Sequence, residues 1–163
     1  MKKVFNVSRY RELLKKVNIL EQQNKFLFDE PEFMEFLSYG ASVERQIHFS
    51  RKSEYCSLIK KYVYKTLPPH IFRGEFLEMV EQDTEKAEKI LQDFNQLSNF
   101  SISVNLLDED KDEFSSSFER ISDKCLQAFE FGPEDDGYGI PEDEFRNSIE
   151  ESYFKLENYL NEK

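Results

Sequence analysis

Carboxylates are the side chains through which this chain could do chemistry. Glu134, Asp135, Asp136, Glu142, Asp143 and Glu144 lie within eleven residues of one another, and Asp108, Asp110 and Asp112 form a second acidic run upstream. Paired carboxylates can share general acid and base work, but sugar hydrolysis needs two of them at a defined separation in a cleft, and no spacing here fixes such a pair. Asp108, Asp110, Asp112 and Glu119 match positions 1, 3, 5 and 12 of a calcium loop, yet position 6 is Glu113, where that loop needs glycine for its sharp turn. Phe114 and Phe118 fall in the same span at helical spacing, so the run reads as a solvated helix start whose acids suit the macrodipole. No metal or cofactor is expected. His48 and His70 have no carboxylate or cysteine at ligand spacing and read as surface or turn residues. Cys56 and Cys125 follow no metal or redox spacing and read as buried thiols in a reducing compartment. Without a catalytic signature, the expectation is a protein that is not an enzyme.

Binding is the chemistry that remains. Acids in the first turn of a last helix are ordinary dipole partners, which accounts for Glu142 and Asp143. It does not account for Glu134, Asp135 and Asp136, or for Tyr138 between Gly137 and Gly139. Tyrosine offers rigid apolar area with a polar tip and is enriched at protein interfaces. The stretch therefore reads as an acidic elbow between two helices. The expected partner-binding set is Glu134, Asp135, Asp136, Tyr138, Glu142, Asp143 and Glu144, joined by Asp108, Asp110 and Asp112.

The charge distribution points the same way. The net charge is −11 at pH 7, but residues 1–70 carry 13 Lys+Arg against 8 Asp+Glu, a balance of +5, and residues 71–163 carry 9 against 25, a balance of −16. An acidic half repels nucleic acid and anionic membranes, whose binding needs cationic side chains, and attracts a basic protein.

Helical periodicity supplies the elements that hold the elbow. Ser8 reads as the cap of a first helix with Tyr10, Leu13, Leu14, Val17 and Leu20 on one face. Pro31 opens a second, short helix with Phe33, Phe36 and Leu37, which Gly40 is expected to end. Gln46 to Ser50 reads as a possible extended connector. Ser53 reads as the cap of a helix carrying Tyr55, Leu58, Ile59, Tyr62 and Val63, which Pro68 and Pro69 must break. Residues 71–97 form one bent helix or two, with Asp83-Thr84 as a re-start. Asn99 to Asn105 alternates like a strand but, with no partner strand, reads as an extended loop packing Phe100, Ile102 and Val104 on the core. Phe114, Phe118, Ile121, Cys125, Ala128 and Phe129 make the clearest stripe, which stops at Gly132-Pro133. Phe145, Ile149, Tyr153, Leu156 and Leu160 make the last.

With 39% hydrophobic and 34% charged residues and only 5 Gly and 5 Pro, the chain fits an all-α, antiparallel helical bundle with long elements and an N-terminal helical extension. The expected division is 1–52 for the extension and 53–163 for the acidic bundle. No apolar run approaches the length of a membrane span, and the first residues have no signal-peptide core, so a cytoplasmic protein is expected.

Tyr55-Cys-Ser-Leu-Ile-Lys-Lys-Tyr-Val-Tyr followed by Phe72-Arg-Gly-Glu-Phe-Leu-Glu-Met resembles the opening helices of the colicin D-type immunity family. The resemblance continues in Leu126-Gln-Ala-Phe-Glu-Phe-Gly-Pro-Glu-Asp-Asp, an aromatic-rich helix end with an acidic turn, and in Ile140-Pro-Glu-Asp-Glu-Phe-Arg, the start of the final helix. Phe145 stands where the family usually has leucine. The likeness covers about residues 55–160. It implies a small helical bundle that neutralises a tRNA-cleaving toxin by covering its positively charged active site with an acidic surface, here the elbow. The partner would then be a basic nuclease toxin, with no direct contact to nucleic acid or membrane. The alternative is a structural or regulatory subunit that docks to a larger assembly through its N-terminal helices.

Overall fold

The computed structural model describes residues 5–25, 31–99, 113–128 and 139–162. All regular structure among them is helical: α1 (Val7–Gln22), α2 (Pro31–Ser50), α3 (Lys52–Val63), α4 (Pro69–Gln92), α5 (Phe94–Ser98), α6 (Glu113–Gln127) and α7 (Glu142–Asn161). The fold is all-α. The chain divides into two compact units, residues 1–47 with 84–111 and residues 48–83 with 112–163. The N-terminal helices thus share a unit with later residues, 84–99 of which are described, because Ala87, Ile90 and Leu97 pack in one core with Tyr10, Leu13, Tyr39, Val43 and Ile47.

In the first unit, α1 starts two residues earlier than the Ser8 reading. Asn6 is extended (φ −96°, ψ 96°), and its side chain accepts from the Arg9 amide at 3.0 Å, so Asn6 caps the helix and Ser8 is an exposed residue of its first turn. Tyr10, Leu13 and Val17 are buried, as their spacing predicts. Asn24, at φ 52°, ends the helix. The Lys25 amide donates to the Leu20 carbonyl and the Asn24 amide to that of Glu21, a Schellman closure with asparagine in place of glycine. Arg9 forks onto Glu35 with two bonds of 2.9 and 2.8 Å, the bidentate geometry that makes arginine–carboxylate pairs specific.

Gly40 does not end α2, which continues to Ser50, and residues 46–50 are its last turn, not a connector. Tyr39, Val43 and Ile47 recur every fourth residue and are buried at 9%, 0% and 2% exposure. A mid-helix glycine costs about 0.5–1 kcal/mol, less than the ~1.5–3 kcal/mol from burying each large apolar side chain, so packing overrides the stop signal. Among the described residues a Cβ at Gly40 would meet only Leu91 Cδ1, at 3.8 Å, an ordinary contact.

In the second unit, α3 begins after Arg51, which makes no side-chain cap bond. Ser53 lies exposed inside the helix and is not its cap. Lys65 at φ 61° closes the far end, with Thr66 donating to the Lys61 carbonyl and Lys65 to that of Tyr62. Pro69 then opens α4, where its missing N–H costs nothing. α4 passes through Asp83 and Thr84 without a re-start. The break comes at Asp93, whose carboxylate accepts from the Asn95 and Gln96 amides and so begins α5.

The second core gathers Phe114, Phe118, Ile121, Cys125 and Ala128 of the α6 segment with Phe145, Ile149, Tyr153 and Leu156 of α7, over the buried faces of α3 and α4. Residues 100–112, which include the 100–105 loop reading, and Phe129 with the Gly132-Pro133 stop fall outside the described residues. Late α6 lies beside early α7, Lys124 standing 3.5 Å from Glu144, although residues 128–141 separate the two helices in sequence.

Phe118 is 5% exposed and meets the rings of His48, Tyr55, Phe76 and Phe114. Phe118→Ala should cost about 3–5 kcal/mol in urea melts; a loss below about 1 kcal/mol would mean that the site collapses around the missing ring. Burial pushes the Tyr62 and Tyr153 hydroxyls and the Cys125 thiol up to about 12 from ordinary values of 10, 10 and 9. Between about pH 9 and 12 the unfolded chain therefore holds fewer protons than the folded one. That stability is fully present below the unfolded values and lost as pH rises through the folded ones. The melting temperature should hold steady from pH 7 to 8.5 and fall above pH 9. Tyr62→Phe, which removes a hydroxyl without a hydrogen bond among the described residues, should flatten part of that fall.

Candidate functional site

The chain enters α7 through Gly139, whose φ of 89° is rare for any residue with a Cβ. Ile140 follows, half-buried against the second core. Pro141 (φ −59°, ψ 148°) lends its carbonyl to the Phe145 amide at 3.0 Å. Ile140 and Phe145 thus stand in the register of a hydrophobic staple, which fixes the angle of entry. Because Phe145 and Ile149 take the inward face, Glu142, Asp143 and Glu144 are left exposed on the first turn. There the free amides and the dipole favour negative charge, by about 0.3–1 kcal/mol each.

The neighbouring cations do not neutralise that turn. Lys124 stands 3.5 Å from Glu144, a long pair. Arg146 turns inward: its guanidinium lies 4.4 Å from the Tyr62 ring centroid and donates to the Tyr62 carbonyl at 3.2 Å. Arg73 does likewise, donating through Nε to the Cys125 carbonyl at 2.7 Å. Both carbonyls belong to the last turns of helices, where acceptors lack the usual partner four residues on; that of Tyr62 accepts from the Lys65 amide as well. The arginines are spent on helix ends, and the acids keep the surface. Further along α7, Glu151 pairs with Lys155 at 3.1 Å.

The structure thus brings three of the expected partner-binding residues, Glu142, Asp143 and Glu144, onto one exposed turn. Glu134, Asp135, Asp136, Tyr138, Asp108, Asp110 and Asp112 lie outside the described residues. Among the described residues no helix is long and apolar enough to cross a membrane, and no three His, Cys, Asp or Glu side chains are grouped to hold a metal.

A polar cluster that the spacing did not reveal lies inside the second unit. His48 is not a surface residue: it is 6% exposed, stacked on Phe118 at 4.2 Å, with Nε2 4.0 Å from Asp83 Oδ2. Asp83, 1% exposed, accepts from the Tyr55 hydroxyl at 2.5 Å and from Arg51 at 2.6 Å. Burial, then the bond to Asp83, drives the Tyr55 hydroxyl far above its usual range. Arg51, bonded to Glu54 and Asp83, is held still more firmly in its charged form. His70 is exposed, as expected. Cys125 is buried, while Cys56 is only half-buried, and burial raises its thiol pKa. The signal for the cluster is Arg51 and Tyr55 on one side of α3, but their partner is 28 residues further on, beyond any local pattern.

Compared with protein-family models, with curated proteins and with solved structures, the chain matches none of them.

Asp83→Ala strands the Tyr55 hydroxyl and takes a carboxylate from Arg51, so it should cost on the order of 3 kcal/mol. Asp83→Asn keeps an acceptor for Tyr55 and should cost clearly less. Equal losses for the two in denaturant melts would show that the charge, and not the hydrogen bond, is what this cluster needs.

Proposed function

We propose that this protein is an inhibitory binding protein of the immunity type, and that its acidic surface covers the basic active site of a nuclease toxin that cleaves tRNA. The observation that carries the reading is the first turn of α7. Three exposed carboxylates are presented there above half-buried Ile140 and buried Phe145, while Arg146 and Arg73 are drawn inward to helix ends. The likeness of residues 55–160 to the colicin D-type immunity family supports it, as does the balance of −16 over residues 71–163. In this reading Glu134, Asp135, Asp136 and Tyr138, with Asp108, Asp110 and Asp112, belong to the set that meets the toxin. The carboxylates imitate a phosphate array, speed encounter with a basic cleft and set its salt dependence. No catalytic step is assigned to the protein, and the working place is the cytoplasm.

The second reading is a subunit that docks through its N-terminal helices. Exposed Ile19, Met34 and Leu37 favour it. Against it, the Tyr10–Leu13–Val17 stripe of α1 is buried within its own unit and is not free to dock.

A tagged protein used as bait, eluted with a salt gradient, separates the two. The expected result is a basic nuclease released by salt, whose cleavage of tRNA stops when the protein is added back. A large assembly without nuclease activity favours docking. Changing Glu142, Asp143 and Glu144 to Gln, Asn and Gln should alter stability by no more than about 1 kcal/mol, because lost dipole contacts offset relieved repulsion. Association with the nuclease should slow at least tenfold, and its salt dependence should flatten. Unchanged rates in a folded variant would remove the first turn of α7 from the interface.

A further inference from the structure

A cleft of about 260 Å³ runs between α6 and α7, and every residue that lines it is of a polar or charged type. Arg120 and Lys124 reach it from α6 and Lys155 from α7, three cations on the acidic side of a chain with net charge −11. Asp123 and Glu151 line it too, and Ser148 and Ser152 lie on its α7 side. Ser152 is 4% exposed. Its side chain lines the cleft, and a hydroxyl there can donate to a bound group.

The cations are not saturated. Arg120 stands 3.7 Å from Glu113 and Lys124 3.5 Å from Glu144, both long contacts; only Lys155 is closely paired, at 3.1 Å to Glu151. Arginine has five N–H donors and lysine three, so most face the cleft and solvent. A bare anion would meet three cations but also two carboxylates, which accept hydrogen bonds and cannot donate them. A protonated oxyanion suits both halves of the lining: its bare oxygens accept from Arg120, Lys124, Lys155 and Ser152, and its own O–H donates to Asp123 or Glu151. The volume lies just below the roughly 300–1,000 Å³ of pockets that enclose drug-sized ligands, so the cleft has room for a phosphoryl group together with water.

We infer that the α6/α7 cleft binds a hydrogen phosphate group, free or as the terminus of a small monoester, and discriminates against sulfate. This does not depend on the toxin-inhibitor reading, since it rests on the cleft and not on the first turn of α7. The two meet at Lys124, which an anion would draw away from Glu144.

The test is titration of the full chain with inorganic phosphate, phenyl phosphate or sulfate at pH 5.5 and constant ionic strength, where a phosphate monoester with second pKa of about 6 still keeps its proton for the most part, followed by amide chemical shifts. Saturable shifts in α6 and α7 with phosphate, at least fivefold weaker with sulfate, are expected. Phenyl phosphate binding as well as phosphate places the ligand as a monoester end; binding of phosphate alone places it as the free ion. Arg120→Gln with Lys155→Gln should abolish binding of both oxyanions. Asp123→Asn with Glu151→Gln should raise sulfate binding to the level of phosphate. Equal binding of sulfate and phosphate by the unaltered chain overturns the proposal, as does the absence of saturation, or binding that survives loss of Arg120 and Lys155 in a variant with unchanged helix content.

Discussion

An unbroken chain of aromatic rings holds the second unit together. It runs from Phe114 to Phe118 on α6, crosses to Tyr55 and Phe76 at 4.8 and 5.4 Å, passes along α4 to Phe72, and reaches Tyr62 at 4.7 Å and Phe145 of α7 at 6.1 Å. Four helices are joined by contacts that each contribute about 0.5–1.5 kcal/mol beyond area burial. With 16 Phe, 8 Tyr and no Trp, large flat side chains fill most of the space, and helix positions are set by how those rings meet. Each ring of the chain lies on the inward stripe of its helix, so the outward faces are fixed at the same time.

That core contains polar atoms, and how they are satisfied shapes the surface. Tyr55 brings a hydroxyl inside, and Asp83 follows to accept from it; Arg51 then compensates the buried carboxylate. At the ends of α3 and α6, Arg146 and Arg73 bond to backbone carbonyls. An arginine so used carries its charge away from the solvent-facing acids. The acidity of the α7 end therefore follows from composition and from the diversion of two guanidinium groups to structural work.

This division of labour bears on function. A surface that attracts a basic partner must keep its own cations out of the way, and a fold this rich in carboxylates needs its cations to hold helix ends. The same arginines meet both demands. Lys124 stands between the two candidate features, beside Glu144 of the first turn and on the wall of the α6/α7 cleft. Charge at either place is felt at the other.

The sequence by itself determined the all-α class and the inward faces of α1, α3, α6 and α7. Their apolar residues recur at helical spacing, and burial of a stripe is a local pattern with one solution. It also announced a break ahead of α4, although α3 ends at Val63, closed by Lys65, and Pro69 opens the next helix instead of stopping the last. It marked Glu142, Asp143 and Glu144, because acids just after Pro141 precede an apolar stripe. Local signals failed where two residues offer the same service or where packing outweighs propensity. Asn6 and Ser8 can both cap a helix, and backbone placement chose Asn6. Gly40 signals a stop, and the buried Tyr39, Val43 and Ile47 carried the helix through it. Only the tertiary structure decided that His48 is buried beside Asp83, that Arg51 and Tyr55 share that carboxylate, and that Arg120, Lys124 and Lys155 border one cleft. Asp83 lies 28 to 35 residues from His48, Arg51 and Tyr55, and Lys155 lies 31 and 35 from Lys124 and Arg120; no periodicity records which distant side chain a charge or hydroxyl will meet. The core decides that when it closes, because a polar group taken from water must then have a partner within about 3 Å.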